Sequence, residues 1–290
     1  MNIGKYGVFY FLDSLTAPKA ADFAKEVERL GYGALWYPEA VGRDSMVTAA
    51  WILNHTKKLV AASGIANIYA RDPQAAVAAH KALNELSGGR FLLGLGVSHA
   101  PLVEDVRGHS FHKPLARMRE YLEKMESAVY HAPAPTSSGE VVIGALGPKM
   151  TELSARLADG AHPYNVTPEH TAWARRIVGP GKRVYVEHKV MLETDPSKAR
   201  KAAKEFLASY LGLPNYRNNW LRLGFSEADL SGPSDHFIDE MVYWGEAGTI
   251  AEKLERHLEA GADHVCIQPM GDNALACLEA LAEKLGLQER

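Results

Sequence analysis

The chain has 290 residues, 47% hydrophobic and 23% charged, a composition that specifies a packed globular protein and excludes a disordered one. Its formal net charge of −3 offers no field for nucleic acid or an anionic membrane surface, so small molecules are the expected partners. Two cysteines, Cys266 and Cys277, lack CxxC spacing; they exclude a disulfide framework and a zinc or redox motif and read as buried thiols.

The N-terminal run MNIGKYGVFYFLD has no basic region leading into an apolar run and a cleavage site. No apolar stretch reaches the ~20 residues that span a bilayer, so the chain reads as cytoplasmic. Short β-rich runs then alternate with longer segments of helical period. The predicted strands are 3–10, 34–37, 59–65, 91–95, 141–143, 160–164, 184–192 and 264–268, eight in all. That count predicts an α/β fold, a (β/α)8 TIM barrel forming a single domain over 1–290, with its active site at the C-terminal strand ends.

After the first strand, Phe23, Val27 and Leu30 form an apolar stripe on a helix over 20–30, and Gly31 suits a left-handed C-cap. The second strand runs into Pro38, Glu39 and Ala40; taken alone, Glu39 reads as a solvated loop carboxylate. The third ends in Ser63, Gly64, Ile65, Ala66 and Asn67 before a helix opened by Pro73, and Asn67 alone reads as a turn former. The fourth carries Gly94 and Gly96, but the third glycine of a GxGxxG fingerprint is replaced by His99, so a Rossmann site fails on spacing. Gly94 and Gly96 read instead as positions where a ligand approaches the backbone.

A helix over 116–130 follows, its stripe made by Leu115, Met118, Leu122 and Met125. His109 and His112 are three apart without an HExxH motif or carboxylate cluster, and no metal site is predicted. The fifth strand enters Gly144, Ala145, Leu146, Gly147, Pro148, Lys149 and Met150. Pro148 suits the first helical position, and the amides after it point outward as in an anion site; an ordinary βα turn has the same pattern. The stretch 196–244 breaks the alternation and is predicted to be a helical elaboration after strand seven, serving as a lid, an oligomer contact or a purely structural addition. Within it Tyr210, Tyr216 and Trp220 read as packing residues. A last amphipathic helix carries Ile250, Leu254 and Leu258 before Gly261.

Five segments in this order, 31–36, 63–73, 90–97, 145–150 and 260–265, resemble the luciferase-like monooxygenase superfamily, in particular its coenzyme F420-dependent oxidoreductases. The resemblance implies a barrel that holds a deazaflavin, coenzyme F420, or alternatively FMN, with rings over the strand ends and the phosphate in the Gly147–Pro148 loop. The cofactor-binding positions it implies are Gly64, Ile65, Ala66, Asn67, Gly96, Val97, Ala145, Leu146, Gly147, Pro148, Lys149 and Met150, with a non-proline cis peptide at Gly64–Ile65. Where deazaflavin relatives carry an Asp-His pair, this chain has Glu39 and Ala40. Where a sugar-phosphate dehydrogenase of the family has a glutamate proton donor, it has His99, which puts a sugar phosphate in doubt.

The implied activity is hydride transfer between the deazaflavin and a small organic substrate, with His99 as first acid/base candidate, Glu39 second as cofactor contact or base, and a homodimer as assembly. The alternatives are an FMN-dependent monooxygenase, a non-catalytic flavin-binding or deazaflavin-binding protein, and an unrelated phosphosugar barrel enzyme.

Overall fold

In the computed structural model, which describes residues 1 and 3–288, eight strand positions close into a parallel ring. In chain order the elements are β1 (Tyr6–Phe9), α1 (Ala17–Arg29), β2 (Ala34–Tyr37), α2 (Ser45–His55), β3 (Val60–Ser63), β4 (Ala66–Asn67), α3 (Pro73–Ser87), β5 (Phe91–Gly96), α4 (Pro114–Glu126), β6 (Val141–Ile143), α5 (Pro148–Leu157), β7 (Gly160–Ala161) and α6 (Pro168–Val178). They continue with β8 (Arg183–Met191), α7 (Pro196–Leu211), α8 (Pro214–Arg222), α9 (Glu227–Ser231), α10 (Asp235–Met241), β9 (Val242–Trp244), α11 (Ala247–Glu259), β10 (His264–Pro269) and α12 (Ala274–Lys284). β10 pairs with β1 on one side and β8 on the other, which closes the barrel. The ends of the predicted domain at 2, 289 and 290 lie outside the described residues.

The strands are buried on both faces, as a parallel sheet wrapped by helices requires. Phe9, Trp36, Ala62, Leu92, Val142, Tyr185 and Cys266 fill the barrel interior. Their alternating neighbours Val8, Leu35, Ala61 and Leu93 meet the helices in the outer core. Seven described helices open on a proline in their first two positions, where the missing N–H leaves no bond unmade. Gly31 follows α1 at φ +88°, and Gly88 ends α3 at φ +69°.

Three expectations need correction. The predicted strand 59–65 is broken in two by a cis peptide at Gly64–Ile65, and β4 resumes against β5. The predicted strand 160–164 pairs through Gly160 and Ala161, because Pro163 has no amide to continue the ladder and Asn165 turns at φ +58°. Inside 196–244 lie four helices and then β9, which runs parallel to β8 beyond the end of β7. This insertion has its own core of Leu207, Trp220, Phe237, Ile238 and Met241. Among the described residues no helix is long and apolar enough to cross a membrane.

Candidate active site

The C-terminal strand ends form a mouth whose shape begins with missing side chains. A Cβ on Gly96 would collide with the Ile65 side chain, and one on Gly144 would touch Ile65 Cγ2 at 3.6 Å. Ile65 therefore lies across β5 and β6 as an apolar shelf, partly exposed beside Gly64, Val97 and Leu146. A Cβ on Gly64 would meet the Phe9 ring at 2.8 Å. Register brings the shelf together: Asn67 pairs with Gly96 and Leu95 with Ile143.

Glu39 is buried beneath this shelf. It accepts from Ser45 N at 3.0 Å, Asn67 N at 2.7 Å and Arg71 Nη1 at 2.8 Å, and pairs with Arg71 Nη2. Arg71 also holds Asp44 at 2.8 Å. Burial works against the charge on Arg71, but Glu39 and Asp44 outweigh it and raise the guanidinium pKa. Glu39 is thus buried and accepts from the backbone at Asn67, which corrects the solvated loop carboxylate read from its sequence neighbours alone.

His99 follows β5, after Ser98 at φ +60°, a left-handed conformation unusual for a residue with a side chain. Burial lowers the His99 pKa, and a hydrogen bond with Asn215 opposes that shift without cancelling it. The imidazole is therefore neutral at pH 7. Its ring centroid is 5.7 Å from Tyr216 of α8, so the insertion reaches over the barrel as far as this candidate.

Sequence reasoning missed the polar group inside this wall. Glu187 and Lys189 alternate on β8 and both point inward. Lys189 Nζ lies 3.0 Å from Glu187 Oε1, binds Asn165 Oδ1, and sits 3.9 Å from the centroid of the Tyr164 ring. Burial lowers the Lys189 pKa to about 8 and raises that of Glu187, while their attraction opposes both shifts. Tyr164 donates to Gln268 Oε1 at 2.9 Å and accepts from Tyr210 of α7 at 2.9 Å. The available signal was the Glu-His-Lys run 187–189 inside a strand whose flanks, Val184 to Val186 and Val190 to Met191, are apolar or aromatic.

The Gly147 loop borders the same mouth. Gly147 is the N-cap of α5, in extended backbone and with no side chain capping the helix. The amides after Pro148 thus keep the partial positive charge of a helix start. His170 Nε2–H donates to the Leu146 carbonyl at 3.0 Å; burial pushes its pKa down to about 4, and that hydrogen bond opposes the shift. The side chains of Lys149 and Pro148 are exposed, and Met150 packs into the outer core. From these three residues the mouth is offered backbone rather than side chains.

The donors left bare indicate what fits. Among the described residues, the buried side-chain nitrogens Asn67 Nδ2, at the end of β4, and Asn165 Nδ2, in the loop after β7, have no acceptor, and the Tyr69 hydroxyl has no partner. A buried amide N–H without an acceptor is costly, so a ligand rich in carbonyl oxygens suits this mouth. An apolar shelf, bare donors and an uncapped helix start together match a flavin or deazaflavin carrying a phosphate. Among the described residues no group of three or more His, Cys, Asp or Glu is placed to hold a metal ion.

Known proteins resemble this chain over much of its length. A family model described as luciferase-like monooxygenase matches residues 11–264. A Mycobacterium tuberculosis protein named as a coenzyme F420-dependent oxidoreductase is 28% identical over 234 residues, 66% of this chain and 67% of the relative. A 5,10-methylenetetrahydromethanopterin reductase of Archaeoglobus fulgidus is 25% identical, covering 97% of this chain and 98% of its own. The solved structure of an F420-dependent secondary alcohol dehydrogenase in complex with an F420-acetone adduct superposes with a TM-score of 0.81 at 16% identity, covering 98% of each chain; that likeness shows the fold.

Proposed function

The chain belongs to the luciferase-like monooxygenase family, and on that premise we propose that it is an oxidoreductase that passes a hydride between coenzyme F420 and a small organic substrate. A bound deazaflavin supplies two-electron hydride chemistry at one ring carbon. The observation that carries the reading is the meeting, on one mouth, of the Ile65 shelf over Gly96 and Gly144 with the uncapped start of α5 at Gly147.

Gly64, Ile65, Ala66, Asn67, Gly96 and Val97 support the rings, with Asn67 Nδ2 free to donate to a ring carbonyl. Ala145, Leu146, Gly147, Pro148, Lys149 and Met150 cradle the phosphate through the amides that open α5. His99, neutral near pH 7, takes the proton that a substrate hydroxyl releases on oxidation and returns it on reduction. Glu39 holds the Asn67 backbone in place from below.

A second copy of the chain is the proposed partner. Helix α2 is apolar on its outer face as well as its inner one, and Val47, Trp51 and, on α3, Leu86 are 65%, 39% and 77% exposed. They line one groove with Leu12 and Leu83. An apolar surface of this kind marks a protein contact.

Titration of the purified protein with F420 and FMN side by side tests the reading. Tight F420 binding with substrate-dependent bleaching supports it. Preference for FMN with oxygen consumption makes the chain a monooxygenase, F420 binding without turnover on any substrate makes it a carrier, and binding of neither overturns the cofactor assignment.

A further inference from the structure

Helix α8 delivers a cation to a place where the described residues offer it no carboxylate. Arg222, its last residue, has Nη2 3.4 Å from the Leu146 carbonyl oxygen and 3.1 Å from Asn219 Oδ1. A Cβ on Gly147 would stand 3.6 Å from the same nitrogen. Desolvation lowers the Arg222 pKa, and no neighbouring carboxylate among the described residues offsets it.

Asn219 adds an independent observation. It is 1% exposed, its Oδ1 accepts from Arg222, and its Nδ2 has no acceptor among the described residues. A buried donor left bare costs about 1–3 kcal/mol, so an anion that it can bind would relieve the penalty. The arm is rigid: Trp220 is fully buried and donates from Nε1 to the Asn165 carbonyl at 3.0 Å, and Tyr216 packs into the insertion's core. A guanidinium and a carboxamide are thereby held beside the uncapped start of α5.

We infer that Arg222 and Asn219 complete the phosphate cradle, so that the inserted segment and the barrel together bind a phosphate ester. The inference rests on the phosphate reading of the Gly147 loop and adds the insertion to it. Guanidinium and amide donors converging with helix-start amides suit the oxygens of a tetrahedral anion. The role of 196–244 is then to link cofactor retention to its own folding, since Arg222 is placed only when α8 is docked.

The test titrates wild type, Arg222→Ala and Arg222→Lys with F420, FMN and the phosphate-free nucleoside core of each. Arg222→Ala should weaken the phosphate-bearing forms about tenfold, the loss of one charge-assisted hydrogen bond, and leave the phosphate-free cores within about twofold. Arg222→Lys should recover most of the affinity. Equal losses for both classes, or none, overturn the inference while the barrel reading stands. If wild type binds none of the four, both fall together. In wild type, hydrogen exchange over 214–222 should slow with phosphate-bearing cofactor and not with its phosphate-free core; equal protection by both also counts against the inference.

Discussion

Mild acid should unfold this protein, because it buries a set of imidazoles in their neutral form. Burial is the leading cause in each case and pushes His80, His162, His170 and His264 down to about 4 and His257 to about 3. The geometry leaves little room for a second proton. His264 donates from Nδ1 to the Gly4 carbonyl at 2.8 Å and accepts from Trp36 Nε1 at 3.2 Å, so protonation would break the Trp36 bond inside the barrel. His257 and His188 face each other across 3.0 Å and share one proton between two nitrogens.

An unfolded imidazole titrates near 6.5, above the folded values, so the unfolded chain binds more protons below that pH. The stability is fully present above pH 6.5 and is lost as pH falls toward the folded pKa values. A shift from about 6.5 to about 4 removes about 1.4 kcal/mol per histidine at pH 5.5 and about 2 kcal/mol at pH 5. Five such groups together approach the ~5–15 kcal/mol that a whole domain possesses. Urea unfolding followed by far-ultraviolet circular dichroism at pH 7.5, 6.5 and 5.5 should show the unfolding free energy dropping by several kcal/mol over the last step. A free energy flat between pH 7.5 and 5.5 would refute the reasoning.

Replacing His99 by Ala should reduce kcat by roughly 100-fold or more with cofactor affinity kept, as loss of a general base does. The wild-type rate should also fall as pH drops through the lowered His99 pKa, a limb lying below 6.5; unchanged turnover in the variant removes His99 from the mechanism. Gly147→Val should weaken F420 binding about tenfold or more by standing in the phosphate approach, and an unchanged dissociation constant would show that the phosphate lies elsewhere. Glu39→Gln leaves Arg71 underpaired in a buried place and should cost about 3 kcal/mol of stability in chemical denaturation. A loss below half a kcal/mol would contradict the bracing role. Trp51→Glu places a charge on the apolar α2 face and should shift sedimentation from dimer to monomer without loss of secondary structure; an unaltered sedimentation coefficient would exclude that face from the contact.

The fold was legible because its signals are local. Proline at helix starts, glycine after helix ends and short apolar strands between them mark each βα unit without reference to the rest of the chain. Two backbone features were legible for the same reason: Gly64 and Gly96 stand where a Cβ would crowd Phe9 and Ile65, and the family resemblance pointed to both. What stayed hidden depends on the tertiary fold. Nothing near Glu39 in sequence announces Arg71, 32 residues away, as the partner that takes its oxygens. Arg222 lies 76 residues from Leu146 and meets it because the insertion folds on its own core and docks over the mouth. The Glu187–Lys189 pair is local in sequence, yet its meaning comes from burial, since both side chains are enclosed where a polar run could equally face solvent.

A crystal structure of the protein with bound F420 tests the central claim most directly. The account predicts the phosphorus against the amides of Lys149 and Met150, with the rings lying on Ile65 and a ring carbonyl accepting from Asn67 Nδ2. Rings docked outside the mouth, or a phosphate turned away from Gly147, would contradict it.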